Sequence, residues 1–173
     1  MDPIFELLKL LLPAAIVLYA MFLSIKAFLN KETDKMALSI KQKSSETVLP
    51  IRLQAYERIC LLLERISPHN LVLRLNNGEL TGKAFQQVLV GEIREEFNHN
   101  LSQQLYMSDK SWEMVRSAVE QLSALINDAG SEIDDQASSL DLAKIIFQKT
   151  MNWETDPIQL ALSTVKEEIR EIF

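Results

Sequence analysis

The sequence predicts an all-α protein: an N-terminal transmembrane helix, then a juxtamembrane helix, then a cytoplasmic helical bundle of about five helices. Three observations predict it. Leu10–Ile25 runs sixteen residues without a charge, and downstream apolar residues recur at helical rather than alternating spacing. Only four glycines and five prolines interrupt 173 residues, too few for a turn-rich β architecture.

The first element is the apolar run LLLPAAIVLYAMFLSI. At about 1.5 Å per residue it covers roughly 24 Å, short of a ~30 Å hydrocarbon core. Residues 4–9 and 26–29 extend it to roughly 39 Å, with Glu6, Lys9 and Lys26 near the ends where lysines reach the headgroups. Pro13 removes one backbone hydrogen bond, which membrane helices tolerate. A cleaved signal peptide fits less well, because Asp2 and Glu6 oppose Lys9 and no clear cleavage site follows. A buried hairpin of a soluble domain would be periodic, whereas this run is continuous. Lys26, Lys31, Lys35, Lys41 and Lys43 follow the span and only Lys9 precedes it. That bias sets the N-terminus outside and the remainder in the cytoplasm. The expected domains are a 1–29 anchor, a 30–50 basic helix or linker, and a 51–173 bundle. Lys26, Lys31 and Lys35 are the expected membrane-surface residues, facing anionic lipid.

Residues 30–49 read as a juxtamembrane helix that frays near Ser44–Ser45, with Pro50 ending it or opening the next. Tyr56, Ile59, Cys60, Leu62, Leu63 and Ile66 then form a broad apolar face on a helix over 51–66. Ser67-Pro68 combines a cap with a first-turn proline. Leu71–Leu75 is helix or extended by periodicity alone, and Asn76-Asn77-Gly78 signals a turn. Thr81 opens a helix to about Met107, where Phe85, Leu89, Ile93, Phe97, Leu101 and Leu105 recur every four residues. Each such step advances about 40° around the helix, so the stripe meets different neighbours at its two ends.

Ser108 caps the next helix, in which Trp112, Val115, Val119, Leu122, Ile126, Ala129 and Ile133 step 3-4-3-4-3-4. This heptad suits a seam inside one chain or a coiled coil between chains. Gly130 or Asp134-Asp135 ends it. Ser138/Ser139–Trp153 forms another helix. Asp156-Pro157 starts the last, marked by Ile158, Leu162, Val165, Ile169 and Ile172.

Charge is uneven. Residues 26–52 hold six Lys/Arg against Glu32, Asp34 and Glu46, and residues 109–173 hold six against thirteen Asp/Glu. With a net charge of −6 and a pI near 5.0, nucleic-acid binding is not expected. A single cysteine, Cys60, rules out a disulfide framework or a cysteine metal site and reads as a core hydrophobe.

No glycine-rich phosphate loop, Gly-x-Ser-x-Gly elbow or His/Asp/Ser constellation is present. Glu92, Glu95, Glu96 and His99 cluster, and Glu96-x-x-His99 has the spacing of a di-iron ligand pair. Such a site needs two of these pairs, and the only other histidine, His69, has Ile66 three positions before it instead of a glutamate. No cofactor and no enzyme activity are expected. The most unusual polar run is Asn98, His99, Asn100, Gln103 and Gln104. It reads as a solvated flank, a buried network against Tyr106 or Trp112, or a partner-binding patch. These five residues with Tyr106 and Trp112 are the candidate partner-binding set.

Ile51–Arg74 (IRLQAYERICLLLERISPHNLVLR) and Glu95–Trp112 (EEFNHNLSQQLYMSDKSW) resemble a family of uncharacterised, membrane-anchored helical proteins of Bacteroidota. The resemblance implies one N-terminal span and a cytoplasmic helical domain, and it supplies no activity. The expected function is a membrane-anchored scaffold, adaptor or accessory subunit of an inner-membrane complex, with lipid and other membrane subunits as partners. The alternatives are self-assembly as a homo-oligomer through Trp112–Ile133 and a metal-dependent enzyme centred on Glu92, Glu96 and His99.

Overall fold

A computed structural model describes residues 3–76 and 78–171, without the side chains of residues 3–10, 14, 34, 37, 40, 41, 44 and 45. The expectations for Glu6, Lys9, Asn77, Ile172 and Phe173 fall outside the described side chains. Every element longer than an isolated bridge is helical among the described residues.

Helix α1 runs over Pro3–Ile66. Within it, Leu11–Thr33 is long and apolar enough to cross a membrane, with a mean hydropathy of 2.0. The expected fraying near Ser44–Ser45 and the helix break at Pro50 do not occur. No glycine precedes Gly78 to offer a flexible exit, and Gln42, Thr47 and Ser39 bond along the helix. A proline inside a helix costs about 3 kcal/mol and one hydrogen bond, which a long helix with intact flanking turns can absorb.

By contact the chain divides into two units, residues 1–49 and 50–173. The second is a bundle built from the end of α1, α2 (Pro68–Leu75), α3 (Gly82–Asn100), α4 (Asp109–Ser131), α5 (Ser139–Met151) and α6 (Pro157–Glu171). The segment left open between helix and strand is thus α2. A 3-10 helix over Leu101–Tyr106 links α3 to α4. Helix α4 is the hub, packing on α3, α5 and α6, while α2 lies against α3 and α5.

Local chemistry places most of the helix starts. The Thr81 hydroxyl accepts from Ala84 N at 3.3 Å, and Ser108 Oγ from Ser111 N at 3.2 Å. Ser138 and Asp141 form a reciprocal capping box. Asp156 Oδ1 accepts from Ile158 N at 2.8 Å and Gln159 N at 3.3 Å, directly before Pro157. Replacing Asp156 with Ala should therefore cost about 1 kcal/mol of stability, read by chemical unfolding in detergent micelles. Ser67 departs from the pattern. It occupies the N-cap position of α2, but its hydroxyl donates back to Glu64 O at 2.8 Å instead of capping.

Two glycines are required by geometry. Gly78 sits at φ +74°, where its N–H donates to Asn76 Oδ1 at 3.1 Å. Gly82 lies where the starts of α3 and α5 run side by side. Gly82 N donates to Ala137 O at 2.8 Å and Ser139 N to Leu80 O at 3.2 Å. A Cβ on Gly82 would lie 2.5 Å from Ile133 Cδ1 and 3.2 Å from Ser138 O.

The heptad of α4 faces inward. Val115, Val119, Leu122, Ile126, Ala129 and Ile133 are buried, and Trp112 is half-buried. They meet Ile59, Leu63, Phe85, Leu89, Leu142, Ile146, Ile158 and Leu162 in one core. The four-residue stripe is covered along α3 and comes to the surface where the chain tightens after Asn100. Phe85, Leu89 and Ile93 are at most 1% exposed, Phe97 is partly covered, Leu101 is 38% exposed and Leu105 79%. The expected continuation of α3 to Met107 fails, because the α-helix stops at Asn100 and tightens into the 3-10 turn.

Candidate functional site

The candidate site is the face that the end of α1 and the 3-10 helix build together. Both belong to the second unit. Arg52 and Tyr56 sit one turn apart on α1, and the Arg52 guanidinium lies 6.0 Å from the Tyr56 ring centre. Arg52 Nε donates to Tyr106 O at 3.1 Å and its terminal nitrogen to the Tyr56 hydroxyl at 3.3 Å. That hydroxyl in turn donates to Glu168 Oε1 at 2.6 Å. The same carboxylate accepts from Ser108 N and Ser108 Oγ, both at 2.8 Å. Glu168 of α6 thereby ties α1 to the start of α4 with charge-assisted bonds.

The electrostatics follow from these partners. Burial is the largest influence on Glu168 and acts to raise its pKa. Hydrogen bonds from Ser111, Tyr56 and Ser108 outweigh it and hold the carboxyl below its ordinary 4.5. Burial, then the bond to Glu168, pushes the Tyr56 phenol up to about 12. A group with a raised folded-state pKa contributes stability that is complete below its ordinary value and lost as pH rises through the folded value. For Tyr56 that window is pH 10 to about 12. Phenolate absorbance of the native protein should show one component with a midpoint near 12, absent in Tyr56→Phe. A midpoint near 10 for that component would show that the network does not hold the proton.

The candidate partner-binding residues separate on this frame. Asn98 and His99 are exposed, while Asn100 is half-buried with its amide donating to Glu96 O at 2.9 Å. Gln104 is exposed and donates to Leu101 O at 2.9 Å. Gln103 is buried and donates to Ser102 Oγ at 3.3 Å. The Asn100 and Gln104 amides bond to nearby chain and not to each other, because the α-helix ends at Asn100. Among the described residues, Tyr106 enters the polar network through its carbonyl. Trp112 stacks on Phe97 with ring centres 5.4 Å apart and planes 16° apart.

Beside this run lies a cleft of about 280 Å³ lined by Ile51, Gln54, Ala55, Arg58, Ser102, Gln103, Leu105 and Tyr106. No carboxylate is in its described lining. Helices α2, α5 and α6 frame a second groove of about 330 Å³ that includes His69, Phe147, Met151 and Trp153.

The acidic cluster is committed elsewhere. Glu96 accepts from Arg65 Nε at 2.6 Å, and Glu92 pairs with Arg74 at 2.6 Å. The two carboxylates thus clamp α3 to the ends of α1 and α2. Among the described residues no group of three or more His, Cys, Asp or Glu could hold a metal ion. Cys60 is half-buried, and burial pushes its thiol up. Lys26, Lys31 and Lys35 are exposed, and Lys35 lies 3.7 Å from Glu32.

The Arg52–Tyr56–Glu168–Ser108 network was not foreseen from the sequence. The available signal was Tyr56 on the buried face of its helix, since a buried phenol needs a partner for its hydroxyl.

No curated protein and no solved structure matches this chain. A family of unknown function, DUF7935, matches residues 2–172, nearly the whole chain. The chain belongs to that family.

Proposed function

We propose that this chain is a membrane-anchored scaffold, adaptor or accessory subunit of an inner-membrane protein complex. Its N-terminus is outside, and its helical domain grips partner subunits in the cytoplasm. The observation that carries the reading is the span itself: none of the most apolar window within Leu11–Thr33 is buried. Leu11, Ile16, Val17, Leu18, Phe22 and Phe28 each expose about half or more of their surface. An uncovered apolar surface of that length calls for lipid or other membrane helices. The lysine bias after the span supports the orientation, and Lys26, Lys31 and Lys35 are the residues set to meet anionic headgroups.

Neither alternative gains an observation of its own. The Trp112–Ile133 seam is covered by the chain's own core, and Glu92 and Glu96 are paired with arginines.

Two measurements test the reading. A C-terminal tag should resist protease added to intact spheroplasts and be digested after lysis; digestion before lysis overturns the orientation. Gentle detergent purification through that tag should return other membrane subunits in fixed ratio, and recovery of the chain alone overturns the adaptor function.

A further inference from the structure

The cleft between the end of α1 and the 3-10 helix joins a cation to two exposed apolar side chains. Residues 50–173 hold twelve Lys/Arg against nineteen Asp/Glu, so the domain as a whole repels acidic partners. The cleft's described lining carries one cation, Arg58, and no carboxylate. Arg58 is exposed in it and has no ion pair among the described residues, whereas Arg65, Arg74 and Arg116 are each paired. Beside Arg58 stand the amides of Gln54 and Gln103. Leu105 is 79% exposed and Ile51 45%, giving the cleft two apolar shoulders.

Leu105 is held there by its backbone. The tighter 3-10 turn after Asn100 carries the apolar stripe of α3 outward, and Arg52 fixes the turn through Tyr106 O. A leucine displayed on a fixed turn, next to an unpaired guanidinium, suits a ligand with apolar and carboxylate groups on one face.

We infer that this cleft docks an acidic amphipathic helix from another subunit. Apolar side chains of that helix pack on Leu105 and Ile51, and an aspartate or glutamate one turn away pairs with Arg58. The inference rests on the adaptor reading and names the surface and partner chemistry for it. A lone arginine in a field of carboxylates fixes the register of such a helix, since any other placement sets like charges together.

The test is photo-crosslinking of the full chain in native membranes, with Gln54→p-benzoylphenylalanine as the probe. The expected result is one adduct whose crosslinked peptide carries carboxylates three or four residues from leucine-type side chains. Arg58→Glu and Leu105→Asp should each cut adduct yield about tenfold, while the unfolding midpoint stays at the parental value because both positions are exposed. A carboxylate-to-lysine change in the partner should restore yield with Arg58→Glu. An adduct to lipid, to a second copy or to a segment without carboxylates overturns the inference, as does no adduct or an unchanged yield in Arg58→Glu. If tagged chain still brings down its membrane subunits despite Arg58→Glu, the cleft fails and the adaptor reading stands. If the parental tagged chain purifies alone, both fail.

Discussion

Phe85→Ala should lower the unfolding free energy by about 3–5 kcal/mol, the range for emptying a fully buried phenylalanine site. Phe85 is completely buried and belongs to the core shared by α3, α4 and α5. Its neighbours enter from separate helices, so they relax inward only partly and leave a cavity. The backbone around it cannot close the gap, because Phe85 N bonds to Thr81 O at 2.9 Å and Gly82 is pinned to Ala137. Denaturant unfolding of the full chain in micelles measures the effect, and a loss below about 1 kcal/mol would show that the α3–α4 packing is loose. Leu105→Ala provides the contrast. Leu105 belongs to the same four-residue stripe but is exposed, so its truncation should stay within about 0.5 kcal/mol.

The second large effect is expected at Glu168. Glu168→Ala should cost about 2–3 kcal/mol, because it removes an ionised acceptor from Tyr56, Ser108 N and Ser108 Oγ together. The loss belongs partly to Tyr56, so Tyr56→Phe combined with Glu168→Ala should fall short of the sum of the two. A coupling of at least about 0.5 kcal/mol is the expected reading. The pH dependence has a definite sign. The folded-state pKa of Glu168 is depressed, so its contribution is present above pH 4.5 and is lost as pH falls through the lower folded value. Glu168→Gln should flatten that part of the stability profile. An unchanged acid slope would mean that other carboxylates carry it.

Several starts were readable from neighbouring residues alone. Thr81, Ser108, Ser138 and Asp156-Pro157 each satisfy the first N–H groups of the helix they open, a matter of three residues of chain. The inward faces were readable for a related reason. A period near 3.6 leaves one stripe apolar, as Val115–Ile126 shows, whatever it packs against. Pro50 reads as the end of one element or the start of the next; α1 continues through it, while by contact the second unit opens at that residue.

The candidate surface was legible only in part. The amide run Asn98–Gln104 drew notice by composition, and it does flank the cleft through Gln103. The run is divided between two elements, because the α-helix tightens after Asn100, and nothing within the run reports that. The polar network was out of reach for another reason. Arg52 finds Tyr106 across 54 positions, and Tyr56 finds Glu168 across 112.

By itself, then, the sequence determined an apolar N-terminal helix with a lysine-rich flank and a set of capped amphipathic helices. These depend on composition, local bonds and period, which a chain carries before it folds. Tertiary structure decided the rest: which heptad face is covered, where α3 stops, which carboxylates arginines occupy, and that Leu105 and Arg58 stand free beside each other. Those depend on what lies opposite each side chain, and only packing between segments distant in the chain sets that.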